Sequence, residues 1–202
     1  IAQEAMATSG DTKFVPVFWM AAEDHDFAEI NTVSVYNTPF TWSTDGVGGP
    51  VGRFSPQSLD TMLQALRERL DKTELHERYL DIFAHAYSTF PTLATATHYV
   101  LDALFGDKGL VVINGDDPSL KQLFVPILVA DIFEQKSYPA IVSQTDALVS
   151  TGFKKQAHPR EINVFLMTDM HRGRIVREGE EYVIDGSDQR FTLLDLQTKL
   201  QQ

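Results

Sequence analysis

Cysteine is absent from the 202 residues. That excludes a disulfide framework, a thiolate zinc site and a cysteine nucleophile. Positive charge is scarce: Lys and Arg number 17 against 28 Asp and Glu, a formal net charge of −11. Such a chain repels phosphate backbones and anionic headgroups, so neither nucleic acid nor a membrane surface is an expected partner. No apolar run approaches the ~18 residues of a bilayer span, and no signal peptide is visible, so the expected compartment is the cytoplasm. The phosphate-loop pattern is missing, and Gly46-Val47-Gly48 lacks the third glycine of the dinucleotide fingerprint. Neither a Gly-x-Ser-x-Gly elbow nor a His-Glu-x-x-His helix occurs. The first residue is Ile1, inside what reads as a helix tail, as in a piece of a longer polypeptide.

What is present is a pattern of short apolar strands and amphipathic helices. Ile1 to Thr8 reads as a helix end stopped by a left-handed Gly10. Phe14 to Met20 is an unbroken apolar run too short for a helix, suited to a strand covered on both faces of a parallel sheet. Pro16 lacks a ladder donor and belongs at the strand start or a bulge. Thr32 to Tyr36 alternates as a second strand, and the Pro and Gly residues between Asn37 and Arg53 mark turns with a short hairpin. Three helices follow, the first with Ser55 as N-cap and Pro56 at its first position. Their apolar stripes are Leu59, Met62, Leu63, Leu66 and Leu70; then Leu75, Tyr79, Ile82, Phe83 and Ala86; then Leu93, Thr97, Val100, Leu101 and Leu104.

Gly106 stops the third helix, and Leu110 to Ile113 returns to a buried strand. Asp117-Pro118 opens a helix to about Glu134, and another runs from Tyr138 to Ser150, ended by Gly152. Phe153 to Gln156 and Asn163 to Met167 read as strands, and Gly173 to Val176 with Glu181 to Ile184 as a hairpin around Glu178-Gly179. Thr192-Leu193-Leu194-Asp195 has the spacing of a capping box for a last helix. The alternation predicts an α/β fold: a Rossmann-like open, mainly parallel sheet with a helical insertion and a C-terminal β-hairpin. The core is expected at residues 1–38 and 106–170, the turn-rich segment and helical insertion at 39–105, and the hairpin and last helix at 171–202.

The first apolar strand runs into Glu23-Asp24-His25-Asp26, and the strand ending at Ile113 runs into Asn114-Gly115-Asp116-Asp117. If the two strands are parallel, both polar tips emerge at one sheet edge, where open α/β sheets bind ligands. Clustered carboxylates there suit an ammonium-bearing substrate, a Mg²⁺ held with phosphates, or acid–base work. A structural use stands beside this: Asp26 and Glu29 have capping-box spacing, and Asp117 before Pro118 is an ordinary N-cap. His25-Asp26 has the letters of the His-Asp pair of metal phosphohydrolases, but that pair lies on a helix, and four adjacent ligand types cannot face one ion. No metal ligand is therefore assigned. In a second polar segment, Arg160 suits a carboxylate or phosphate and His158 proton transfer, with Asn163 close in sequence; a solvated surface turn is the alternative.

The stretch Val15-Pro16-Val17-Phe18-Trp19-Met20-Ala21-Ala22-Glu23-Asp24-His25-Asp26-Phe27-Ala28-Glu29-Ile30-Asn31 closely resembles the signature of the bacillithiol-biosynthesis cysteine-adding enzymes. Pro50-Val51-Gly52-Arg53, Leu104-Phe105-Gly106 with Gly109-Leu110-Val111-Val112, Asp116-Asp117-Pro118-Ser119-Leu120-Lys121 and Gln156-Ala157-His158-Pro159-Arg160-Glu161 with Asn163 and Phe165 follow in the family's order. The resemblance spans essentially the whole chain yet under half of a usual member. It implies a Rossmann-like core with connecting-peptide insertions, the first in the helical block and the second starting after His171. It also implies a homodimer through a coiled coil that lies outside these residues. The implied reaction joins cysteine to glucosaminyl-malate through an amide, and carboxyl activation for such a bond implies ATP or another nucleotide. The glycine- and glutamine-rich motif that precedes this region in the family is absent.

On this reading Asp24, His25 and Asp26 are the catalytic candidates, with His25 as general base, since imidazole titrates near neutral pH. Asn31, Asp116, His158, Arg160 and Asn163 are the substrate-binding candidates. A small-molecule-binding module without catalysis, or a structural domain whose polar loops only cap helices, are the alternatives.

Overall fold

The computed structural model describes residues 2–8, 10, 12–44, 48–168 and 171–200. Ile1, Gly46 and Val47, which enter the sequence reading, lie outside the described residues. The chain divides into two compact units, Ile1–Asp116 and Asp117–Gln202, taken one at a time below.

In the first unit, α1 (Ala2–Thr8) is followed by Gly10 at φ +63°. β1 (Val17–Met20) pairs in parallel with β4 (Val111–Asn114), from Val17 opposite Val111 to Met20 opposite Asn114. Pro16 sits just before β1, where its missing donor is not needed, and its carbonyl accepts the Val111 N–H at 3.0 Å. The expectation of a strand covered on both faces is corrected: Val17 and Trp19 are 52% and 53% exposed, and only Met20 is buried. Among the described residues β1 has one neighbouring strand, and Met20 alone of its side chains joins the buried cluster with Ala22 and Ala94.

A mainly parallel sheet is likewise corrected. Among the described residues β1–β4 is the one parallel pair; β2 (Thr32–Val35) and β3 (Thr38–Thr41) form a hairpin, and the other four strands an antiparallel sheet. Short turns permit only antiparallel neighbours, whereas the long crossover from β1 to β4 permits a parallel one. The hairpin turn is Tyr36-Asn37, at φ +49° and +61°, the geometry of a type I′ turn. Tyr36 is an uncommon occupant, and the Arg69 guanidinium lies over its ring, 5.3 Å from the centroid.

The helical block begins as a 3₁₀ turn, Pro56–Leu59, capped by Ser55, and continues as α3 (Asp60–Arg69), α4 (Glu74–Thr89) and α5 (Leu93–Phe105). A short helix, α2 (Phe27–Ile30), precedes the hairpin. Leu63, Leu66 and Leu80 form one buried cluster, and Ala86, Ala96 and Val100 another. Leu80 is buried where the expected stripe had Leu75 and Tyr79, which are exposed. The chain passes Gly106 in a further 3₁₀ turn and reverses at Gly109, φ +78°.

In the second unit Asp117 caps α6 (Pro118–Glu134), its carboxylate accepting the Ser119 N–H at 2.8 Å. α7 (Ser137–Ser150) is followed by Gly152 at φ +93°. Phe153 to Gln156 forms no strand: Phe153 is exposed, and the two lysines and a glutamine after it offer no face to bury. β5 (Phe165–Met167), β6 (Arg172–Glu178), β7 (Glu181–Ile184) and β8 (Arg190–Phe191) make the antiparallel sheet in that order, so the expected hairpin is its centre. α8 (Leu193–Leu200) starts at Thr192, whose hydroxyl accepts the Asp195 N–H. Ile132, Ile162, Val164, Ile175, Tyr182, Ile184 and Leu196 form the buried core.

Candidate functional site

Parallel register brings the residues after Met20 beside those after Asn114, and the Gly115 N–H donates to the Met20 carbonyl at 3.0 Å. This carboxyl edge of β1 and β4 collects most of the chemistry of the first unit. The Glu23 carboxylate lies over Gly115, where a Cβ would collide with both of its oxygens. Glu23 Oε2 is buried and has no hydrogen-bond partner among the described residues. Asp24 Oδ1 accepts the His25 backbone N–H at 2.7 Å and lies 3.3 Å from His25 Nδ1, with both side chains about half exposed. Asp26 accepts the Glu29 N–H at 3.3 Å as the N-cap of α2, so its structural use is realised.

Asp116 is held differently. Arg53 donates from Nε to Oδ2 at 2.7 Å and from Nη2 to Oδ1 at 3.2 Å, and the Asp116 side chain is only 9% exposed. Arg53 reaches this edge because a 3₁₀ turn, Val51–Arg53, packs on the exit of β1. There the Val51 N–H donates to the Asp24 carbonyl at 2.6 Å and the Gly52 N–H to the Ala22 carbonyl at 2.9 Å. Asn31 is not part of the acidic cluster. Its Oδ1 accepts the Thr32 hydroxyl, its carbonyl accepts the Trp42 N–H, and it lines an apolar cavity of about 560 Å³ with Trp42, Met62 and Leu66.

Of the expected site residues, then, Asp24, His25, Asp26 and Asp116 share one edge, while Asn31 borders the apolar cavity. Arg53 and Glu23 belong to that edge and were not among the expected site residues. Arg53 carried one signal, its place in the family-like stretch Pro50-Val51-Gly52-Arg53; Glu23 carried its place in the acidic tip.

His158, Arg160 and Asn163 belong to the second unit. His158 and Arg160 are exposed on a loop. Asn163 ties that loop down: its Nδ2 donates to Ser137 Oγ and to the Arg160 carbonyl, both at 3.1 Å, and its N–H donates to Asp131 Oδ2. Both protons of the Asn163 amide thus have protein acceptors.

Chemically, the edge of β1 and β4 offers carboxylates for an ammonium group, an imidazole steadied by a neighbouring carboxylate, and one guanidinium gripped by Asp116. No group of three or more His, Asp or Glu side chains among the described residues is placed to hold a metal ion. No helix among them is long and apolar enough to cross a membrane.

The family described as "Bacillithiol biosynthesis BshC, N-terminal Rossmann-like domain" matches residues 1–202. Proteins named "Putative cysteine ligase BshC" from Cytophaga hutchinsonii, Flavobacterium johnsoniae and Christiangramia forsetii are 39%, 35% and 31% identical to this chain. The matches cover 94%, 89% and 90% of it, and 34%, 33% and 34% of those relatives. The chain therefore spans about a third of the length of the curated relatives it matches.

Proposed function

The chain belongs to the BshC family of bacillithiol biosynthesis, in its N-terminal Rossmann-like domain, and on that premise we propose that it is a segment of a carbon–nitrogen ligase that adds cysteine to glucosaminyl-malate. The observation that carries this reading is the parallel register of β1 and β4, with Asp24, His25, Asp26 and Asp116 at their common carboxyl edge. Asp24 accepts from the sugar ammonium, with Asp26 adding negative charge beside it. Amide formation needs the neutral amine: the ammonium first gives one proton to water, the amine lone pair then attacks the cysteine carboxyl carbon, the C–N bond forms, the carboxyl's leaving group departs with its electron pair, and the second proton on nitrogen passes to His25. Asp24, 3.3 Å from Nδ1, steadies the resulting imidazolium.

ATP or another nucleotide, when bound, supplies the carboxyl activation. Asp116 acts through Arg53, which it holds in bidentate geometry for an anionic group of the substrate. The full-length protein is read as a cytoplasmic homodimer paired through a coiled coil outside these residues. For the 202 residues by themselves, a third of their relatives' length, binding without turnover is the second reading.

The test uses the full-length protein, with product from cysteine and glucosaminyl-malate followed by mass spectrometry. Asp24→Asn should raise KM for the amino sugar roughly tenfold or more, the worth of a charge-assisted hydrogen bond. His25→Ala should lower kcat by about 10²–10⁴. Wild-type kinetics in both variants would remove them from the site.

A further inference from the structure

The apolar cavity of the first unit, about 560 Å³ in volume, plays no part in the chemistry at the edge of β1 and β4. It lies between the β2–β3 hairpin and the helical block. Val35 and Phe40 pack against the cluster of Leu63, Leu66 and Leu80, which joins the hairpin to the helices on one side. Val33, on the same face of β2 as Val35, is 43% exposed and stands at the mouth with Ile30 and Tyr79, also exposed. An unfilled apolar cavity costs stability in proportion to its volume, and at this size the cost rivals the whole margin of a folded domain. Water is a poor filling: a buried water needs about two to four polar partners, and these walls are mostly carbon. An apolar molecule of the right size therefore stabilises the folded chain.

Charge narrows the choice of molecule. Among the described residues, no Lys, Arg, Asp or Glu side chain lines the cavity. A carboxylate or ammonium buried there would lack a counter-charge, at a cost far above that of a neutral polar group. The polar groups that do line it are uncharged donors and acceptors. His76 Nδ1 lies 2.8 Å from the Asp71 carbonyl, which can only accept, so Nδ1 carries a proton and Nε2 of the neutral ring is an acceptor. Asn31 Oδ1 is taken by the Thr32 hydroxyl, which leaves the Nδ2 protons as donors. Burial pushes the Tyr87 phenol up, so it keeps its proton. Hydrocarbon walls with a few neutral donors and acceptors suit a hydroxyl, which both donates and accepts.

We propose that this cavity binds an uncharged small molecule with a hydrocarbon body and a hydroxyl head group. Its volume falls within the range of about 300–1,000 Å³ of ligand pockets. It is several times the roughly 150 Å³ that takes up benzene in an engineered protein core. Cysteine and glucosaminyl-malate both carry charge, so neither is the ligand meant here. The proposal goes beyond the amide-forming reading and stands or falls without it, because it is read out by binding of a different class of molecule.

The probe is 1-octanol, titrated calorimetrically into the full-length protein. Octanoate, at about pH 8 where its carboxyl is ionised, is the charged molecule of equal chain length. Octanol should bind and raise the melting temperature, and octanoate should bind about tenfold more weakly or less. Val33→Trp narrows the mouth from an exposed position, and Met62→Trp fills the interior; each should weaken octanol about tenfold or more. Leu75→Trp, at an exposed position of α4 outside the cavity, should leave the affinity unchanged. Absence of octanol binding overturns the proposal, because residues beyond this chain, or a closing of the walls, would then take up the space. Octanoate binding as tightly as octanol overturns it as well. So does unchanged affinity in Val33→Trp, a surface variant that asks no rearrangement of the core, or an equal loss in Leu75→Trp.

Discussion

Two glycines at the edge of β1 and β4 are confined by different neighbours, and the difference is measurable. A Cβ on Gly52 would lie 2.5 Å from Ala22 Cβ and 2.7 Å from the Ala22 carbonyl, both fixed by the backbone. A Cβ on Gly115 would meet only the Glu23 carboxylate, the far end of a flexible side chain. Gly52→Ala should therefore cost about 1–3 kcal/mol in urea unfolding, as overpacking does. Gly115→Ala should cost clearly less, and the double variant with Glu23→Ala less again; equal losses at the two glycines would show that the Glu23 carboxylate cannot swing aside. The acidic tip was legible because four polar residues directly follow an apolar run. The restraints on it were not, since Gly52 and Arg53 arrive from about thirty positions along the chain, and Arg53 meets Asp116 from 63 away.

At the scale of elements, local chemistry was readable and long-range pairing was not. Ser55, Asp117 and Thr192 cap as their sequence spacing indicates, because a cap bonds to an N–H two or three residues on. The outer strand β8 has two residues and no alternation to announce it; its pairing with β7 defines it. The α4 stripe shifted for the same reason: Leu80 is buried by α3, a contact the helical period alone does not specify. Trp42 shows how elements are joined. It is 3% exposed, stacks edge-on against Phe27 at 4.9 Å, and donates from its indole to Ser58 Oγ at 2.8 Å. Ser58→Ala leaves that buried donor without an acceptor and should cost about 1–3 kcal/mol in chemical denaturation. A loss well under that range would mean water or a rearranged neighbour takes the proton.

Over the whole molecule, the two tryptophans are reporters of opposite surroundings. Trp19 on β1 is 53% exposed and Trp42 is 3% exposed. In the 202-residue chain, a Trp42→Phe variant should emit at long wavelength and be quenched readily by acrylamide, and a Trp19→Phe variant should show the reverse. If Trp19 proves shielded in the full-length protein but not in this chain, then added residues cover β1, as parallel strands require. Equal quenching of both in this chain would contradict the exposure of that strand. The Tyr36-Asn37 turn also sets an order of events during synthesis. Neither turn residue is glycine, and each left-handed residue costs roughly 1–2 kcal/mol; the compensating guanidinium, Arg69, is translated 33 residues after Tyr36. At about 5–20 residues per second, the ribosome adds the turn of this hairpin roughly 2–7 s before the side chain that steadies it.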